Sequence, residues 1–210
     1  MYCRRGLVRL SNLSLLVLSG IVSASALGVT APPARAVTST VTIGGPFTLS
    51  APGGKTVTDQ TFRGKWLLVY FGYTFCPSSC PTTLLEIATA LKTLGADAAK
   101  VQPLFITIDP QRDTPEVMQQ YTQSFDPRII GLTGTPQQIA AVAEEYGAYY
   151  VRHGTGPGTE DYVMDHSTYL YLMDPGGKYV RAFDSTASAD GVADALQKVL
   201  APGPRDGAAE

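Results

Sequence analysis

Cysteine and histidine are scarce in this chain, and the scarcity narrows its chemistry. Three cysteines in 210 residues are too few for a disulfide scaffold. One of them, Cys3, lies in a segment that reads as a targeting sequence, which leaves Cys76 and Cys80 as an isolated close pair. A structural zinc site would need two more ligands than that pair supplies, and only His153 and His166 could add an imidazole. Basic charge is thin as well. Four arginines fall within the first 36 residues, so the remainder carries 12 bases against 18 acids, a net of −6. No basic stripe runs through it, and nucleic-acid binding has no electrostatic footprint here. There is no internal repeat and no sign of a second folded domain.

What is present begins with a leader. Arg4, Arg5 and Arg9 precede an apolar stretch over residues 13–29, and Ala34-Arg35-Ala36 fits a small-x-small cleavage site. At about 17 residues the stretch is at the short limit for crossing a bilayer. Residues 1–36 therefore read as an export signal or a retained N-terminal anchor, with residues 10–29 as the membrane tether. No cysteine follows the apolar run, which argues against a lipoprotein. The body of the chain is expected outside the bacterial cytoplasm, in the periplasm, either free or anchored facing it. Residues 37–45 read as a tether, residues 46–200 as one folded domain, and residues 201–210 as a disordered tail.

The stretch over residues 66–94 organises that domain. An apolar run ends at Gly72, a polar turn carries Cys76 and Cys80, and a helical pattern starts near Pro81, with Leu84, Ile87, Ala88, Leu91 and Leu94 on one face. Two thiols are thus handed to a helix N-terminus, where backbone N–H groups and the helix dipole favour thiolate. Such a pair could react or could hold a soft metal. Elsewhere, Pro52-Gly53-Gly54 marks a hairpin, and residues 100–108 form a second buried strand. Thr114-Pro115 and Thr135-Pro136 open two helices, the latter with a capping-box Gln138. Residues 128–132 read as a short strand, 149–152 as extended and 153–161 as a Gly-rich loop. Asp174-Pro175-Gly176-Gly177 turns a final hairpin between residues 168–173 and 179–183, and Ser188 starts a closing helix. This order predicts an α/β fold: a central mixed sheet, parallel in its middle and antiparallel at one edge, with helices on both faces and an N-terminal β-hairpin. A cysteine pair after the first buried strand is where a thioredoxin-like fold carries its active site. In such a fold the residue entering the strand at 168–173 faces the cysteine turn, which puts His166 opposite the thiols. His153 reads as a solvated residue at a loop edge.

Four segments fall in order at familiar separations: F-G-Y-T-F-C-P-S-S-C-P at 71–81, T-I-D-P-Q-R-D-T-P at 107–115, G-L-T-G at 131–134, and D-H-S at 165–167 followed by Y-L-M-D-P-G at 171–176. Together they resemble the SCO/SenC family of copper chaperones, which assemble the binuclear copper centre of cytochrome c oxidase. The resemblance implies one copper ion, Cu(I) or Cu(II), per chain, held by Cys76, Cys80 and His166. It implies delivery to oxidase subunit II, maintenance of that subunit's thiols, or both, with another periplasmic copper carrier or thiol reductant as a further partner. Such a chain is a metallochaperone rather than an enzyme. The alternative is an envelope thiol-disulfide oxidoreductase that uses Cys76 and Cys80 as a redox-active pair without obligatory metal. A peroxidase would need one peroxidatic cysteine, not a C-x-x-x-C pair. The family's acidic motif falls on Asp109 and Asp113. Asp109 divides between capping a backbone and tuning the charge of the site, whereas Asp113 reads as structural. Ser78 and Ser79 stand where many members carry an acidic or bulky apolar residue, which bears on partner contacts rather than on the ligand set.

Overall fold

The computed structural model describes residues 42–154 and 162–201. The expected leader at 1–36, most of the tether, the loop over 155–161 and the tail from 202 lie outside the described residues. Among the described residues no helix is long and apolar enough to cross a membrane.

The chain enters through an antiparallel hairpin, β1 (Thr48–Ala51) and β2 (Lys55–Thr58), turned by Pro52–Gly54 as its sequence predicts. Then come β3 (Trp66–Gly72), α1 (Ser79–Thr93), β4 (Val101–Thr107), α2 (Pro115–Gln123), β5 (Ile130–Leu132) and α3 (Pro136–Tyr146). The remainder is β6 (Tyr150–Gly154), β7 (Tyr162–His166), β8 (Leu170–Met173), β9 (Tyr179–Phe183) and α4 (Ala189–Leu200). Five strands form the central sheet in the order β5-β4-β3-β8-β9, with β5, β4 and β3 parallel and β8 and β9 antiparallel to their neighbours.

β3 sits in the middle because Leu67 through Phe71 are apolar on both faces, and each is buried. Alternation then assigns the layers. Tyr70 stacks on Phe105 of β4, which meets Tyr121 of α2, while Gly72 on the same face lies against Cys80 of α1. Helix α4 packs beside α1. On the opposite face Phe71 meets Tyr146 of α3 and Tyr171 of β8. The sheet is thus mixed and covered by helices on both sides. Local signals place the helices: Thr114 and Thr135 accept hydrogen bonds from the backbone N–H groups of Val117 and Gln138, and Gln138 returns the bond to Thr135 in a full capping box. Gly147 ends α3 at φ 60°, a left-handed turn that favours glycine.

Two expectations change. Helix α1 begins at Ser79, two residues ahead of the start read from Pro81. Proline in the third helical position still loses nothing, since that N–H has no intrahelical acceptor. Cys80 therefore belongs to the helix and Cys76 to the turn before it. The second change concerns His166. Instead of leading into β8, it ends a separate strand, β7, which pairs with β6 in a two-stranded antiparallel ribbon outside the central sheet. His153 and Gly154, read as loop, are the last residues of β6.

Candidate metal centre

Gly72 closes β3, and the next residues form the turn that holds the thiols. A Cβ on Gly72 would fall 2.5 Å from Cys80 Sγ, so only glycine lets the start of α1 sit this close to the sheet. The turn is tied down from a distance: buried Asp113 accepts hydrogen bonds from the backbone N–H of Thr74 (3.1 Å), from Thr74 Oγ1 (2.6 Å) and from Thr107 Oγ1 (2.6 Å). This bears out the structural reading of Asp113, although its partners are not the local N–H groups of a cap. Cys76 follows, with its sulfur at the surface of the core, and Cys80 is fully buried. The backbone N–H of Cys80 donates to Cys76 Sγ at 3.4 Å, and Ser79 Oγ lies 3.2 Å from the same sulfur.

His166 arrives from the ribbon. Its Nε2 is 3.6 Å from Cys80 Sγ and 3.9 Å from Cys76 Sγ, and the three donor atoms all lie within 4.8 Å of one another. The ring is aimed from behind. Nδ1 lies 2.9 Å from the carbonyl oxygen of Ser167, which can only accept, so Nδ1 carries the proton in the neutral imidazole. In the neutral ring the Nε2 lone pair then faces the sulfurs, and in the protonated ring Nε2–H donates to the Cys76 thiolate. Tyr70 and Tyr73 meet the imidazole edge-on, with ring centroids 6.2 and 5.9 Å away.

The two thiols are electrostatically unlike. Hydrogen bonding from the Cys80 side chain, aided by His166, Ser79 and the Cys80 N–H, outweighs burial and holds the Cys76 thiol well below its ordinary pKa. Cys80, whose thiol hydrogen-bonds to Cys76 and is buried, is pushed far up. Burial opposes a charge on His166, but the Cys76 thiolate, the Ser167 carbonyl and Asp165 together outweigh it and raise the imidazole pKa. The contact between the sulfurs thus favours charge on Cys76 over charge on Cys80. The donor set also fits a soft ion. With metal–sulfur and metal–nitrogen bonds of about 2.3 and 2.0 Å, sulfur and nitrogen around one ion stand about 3.5 Å apart in tetrahedral and about 3.7 Å apart in trigonal geometry. The observed separations of 3.6 and 3.9 Å need little adjustment to match.

Asp109 does not join this group. It is buried, pairs with Arg112 Nε at 2.5 Å and accepts from Tyr162 Oη at 2.6 Å. His153 Nε2 lies 2.9 Å from a carboxylate oxygen of Asp165 in an exposed contact and is not part of the Cys76, Cys80 and His166 group. Sequence reasoning passed over Arg112, Tyr162 and Phe75, which stack together beside the site. The available signal was the arginine inside D-P-Q-R-D, which a bare strand-to-helix turn does not require.

Comparison with known proteins adds the lineage. The SCO1/SenC family profile matches residues 35–201. The solved structure of Bradyrhizobium japonicum ScoI with copper bound is 45% identical, with a TM-score of 0.69, over 74% of this chain and 98% of that one. The SenC protein of Rhodobacter capsulatus is 44% identical over 154 residues, 73% of this chain and 69% of that protein. The mitochondrial SCO1 homolog 1 of Arabidopsis thaliana is 40% identical over 159 residues, which cover 75% of this chain but only 47% of the plant protein. The fold these matches share is thioredoxin-like.

Proposed function

The chain belongs to the SCO1/SenC family, and on that footing we propose that it is a copper-delivery protein of the cell envelope. It takes one copper ion between Cys76, Cys80 and His166 and serves the binuclear copper site of cytochrome c oxidase, with subunit II as the acceptor. Residues 1–36 export the chain or anchor it, so that the domain works in the periplasm. The observation that carries this reading is the approach of one imidazole Nε2 to 3.6 and 3.9 Å from two reduced sulfurs. Copper bound to a relative 45% identical over nearly its whole length supports it.

The chemistry follows from the donors. Soft thiolates favour Cu(I). Cys76 is already a thiolate and meets the ion first; Cys80 gives up its proton as the ion is loaded, and His166 contributes the Nε2 lone pair. Cys80 and the tyrosine rings close the inner side, and Cys76 lies toward solvent. Acceptor thiolates therefore enter on the Cys76 side and replace the donors one at a time, with no change in oxidation state. Oxidation of the pair to a disulfide would remove two ligands together, so redox state gates loading.

A second reading rests on the same asymmetry. Of the two buried cysteines, Cys76 is the less enclosed (9% exposed against 0%) and the more readily ionised, which is the order a thiol-disulfide reductase uses. Cys76 would attack an acceptor disulfide to form a mixed disulfide, and Cys80 would resolve it, leaving the acceptor with two thiols and this chain with the Cys76–Cys80 bond. Titrating reduced wild-type protein and His166→Ala with copper separates the two. Under the delivery reading wild type binds one ion per chain with a sulfur-to-copper charge-transfer band, and the variant binds at least tenfold more weakly, as loss of one of three ligands requires. Equal binding by the variant would remove His166 from the ligand set and leave the reductase.

A further inference from the structure

The two halves of the site come from pieces of backbone that share no strand ladder. Cys76 sits on the turn between β3 and α1 and Cys80 in the first turn of α1, and His166 ends a ribbon that pairs only with itself. The ribbon is tied to the sheet by the short link over residues 167–169 into β8, and side chains close the remaining distance between imidazole and sulfurs. Those contacts converge on one residue. The Arg112 guanidinium lies 4.5 Å from the centroid of Phe75, next to Cys76, and 3.7 Å from that of Tyr162, the first residue of β7. Arg152 of β6 covers the other face of Tyr162 at 3.8 Å. Phe75, Arg112, Tyr162 and Arg152 thus form one continuous stack from the cysteine turn to the far strand of the ribbon. Arg112 is fixed edgewise too: Nε meets Asp109, which holds the Tyr162 hydroxyl, and Nη1 donates to the Tyr162 carbonyl at 3.3 Å. Beside the stack, the Met164 N–H donates to Tyr73 Oη at 3.2 Å, two residues before His166.

We propose that Arg112 is a positioning residue: the flat layer that clasps the β6–β7 ribbon to the cysteine turn and so sets the reach of His166 to Cys76 and Cys80. The proposal rests on the copper reading for its effect on affinity, but the clasp itself exists in the metal-free protein. A planar guanidinium is required. It offers two stacking faces and an edge of N–H donors at once, whereas an ammonium offers one point of charge. Lysine would keep the charge and lose the clasp.

The test compares Arg112→Met and Arg112→Lys in the full chain. Both are expected to weaken copper binding by about 10- to 100-fold, the usual cost of removing a group that orients a ligand. Both should raise amide exchange at Met164 in the metal-free protein, and both should leave alkylation of Cys76 at the wild-type rate. In a His166→Ala background, Arg112→Met should change copper affinity less than twofold, because the imidazole it positions is gone. Wild-type affinity for Arg112→Lys would show that charge alone matters and would overturn the proposal; so would a full additional loss in the His166→Ala background. If the wild-type protein bound no copper, the copper reading would fall, and Met164 exchange would still decide the clasp: unchanged exchange refutes it. Should Arg112→Met not fold, Phe75→Leu decides. Phe75 is 61% exposed and its loss spares the core, so a smaller shift in Met164 exchange in the same direction supports the stack and none overturns it.

Discussion

Replacing Gly72 by alanine tests how closely fold and site are joined. The added Cβ would lie 2.5 Å from Cys80 Sγ and 2.7 Å from Phe105 Cε2. Carbon needs about 3.5 Å from its neighbours, so the sulfur and the ring must each retreat by about 1 Å. Phe105 has little room, because it is fully buried between Tyr70 and Tyr121. The first turn of α1 must therefore move. Forcing an extra methyl into such packing costs about 1–3 kcal/mol, which in a domain of this size lowers the Tm by roughly 2–12 °C. The same displacement moves Cys80 relative to His166 Nε2, now 3.6 Å away, by an amount comparable to the tolerance of a metal site. Thermal unfolding by circular dichroism should show the stability loss. Competition titration with a Cu(I) chelator should show at least a tenfold loss of affinity in the protein that remains folded at 20 °C. An unchanged Tm together with unchanged affinity would mean that the close approach of α1 to β3 is not what holds Cys80 in place.

Other outcomes can be stated briefly. Iodoacetamide should modify Cys76 well before Cys80 and continue to do so at pH 5, where an ordinary thiol is almost inert; peptide mass spectrometry reads the order. Copper affinity should fall with pH. Cys80 is a thiol in the metal-free protein, and its raised pKa means that loading releases its proton throughout the neutral range. Below the raised pKa of His166 a second proton must leave, so the slope of log affinity against pH should steepen from about one toward about two as pH falls. Asp113→Ala strands the buried donor of Thr107 and two half-buried donors of Thr74 and should cost about 2 kcal/mol in urea unfolding. Thr135→Ala removes the capping box of α3 for about 1 kcal/mol and should leave copper binding at the wild-type value.

Much of the fold was legible because its signals are local. The apolar run of β3, the Thr-Pro starts of α2 and α3, and the glycine-rich turns of both hairpins each decide a few neighbouring residues, and tertiary packing agrees with them. The cysteine turn was legible for the same reason, whereas the nearness of His166 to it was read from the thioredoxin-like topology and the family resemblance. The ribbon was not legible. Residues 162–166 are few and half-buried, and their pairing depends on a strand eight residues upstream across the glycine-rich segment, so no short window reveals it. Asp113 shows a second limit. Beside a helix start it looks like a cap, yet its first partner is Thr74, 39 residues away. The stack through Arg112 joins residues 75, 112, 152 and 162, and no periodicity links those positions.

The absence of a ladder between ribbon and sheet has an implication for release. Withdrawing the imidazole breaks a few side-chain contacts and leaves the five-stranded sheet whole, whereas withdrawing Cys80 would mean unwinding the first turn of α1. One prong of the grip is hinged and another is bolted to the frame. On the proposed delivery reading, the ion would leave at the ribbon corner, where the imidazole can withdraw with the sheet and α1 intact.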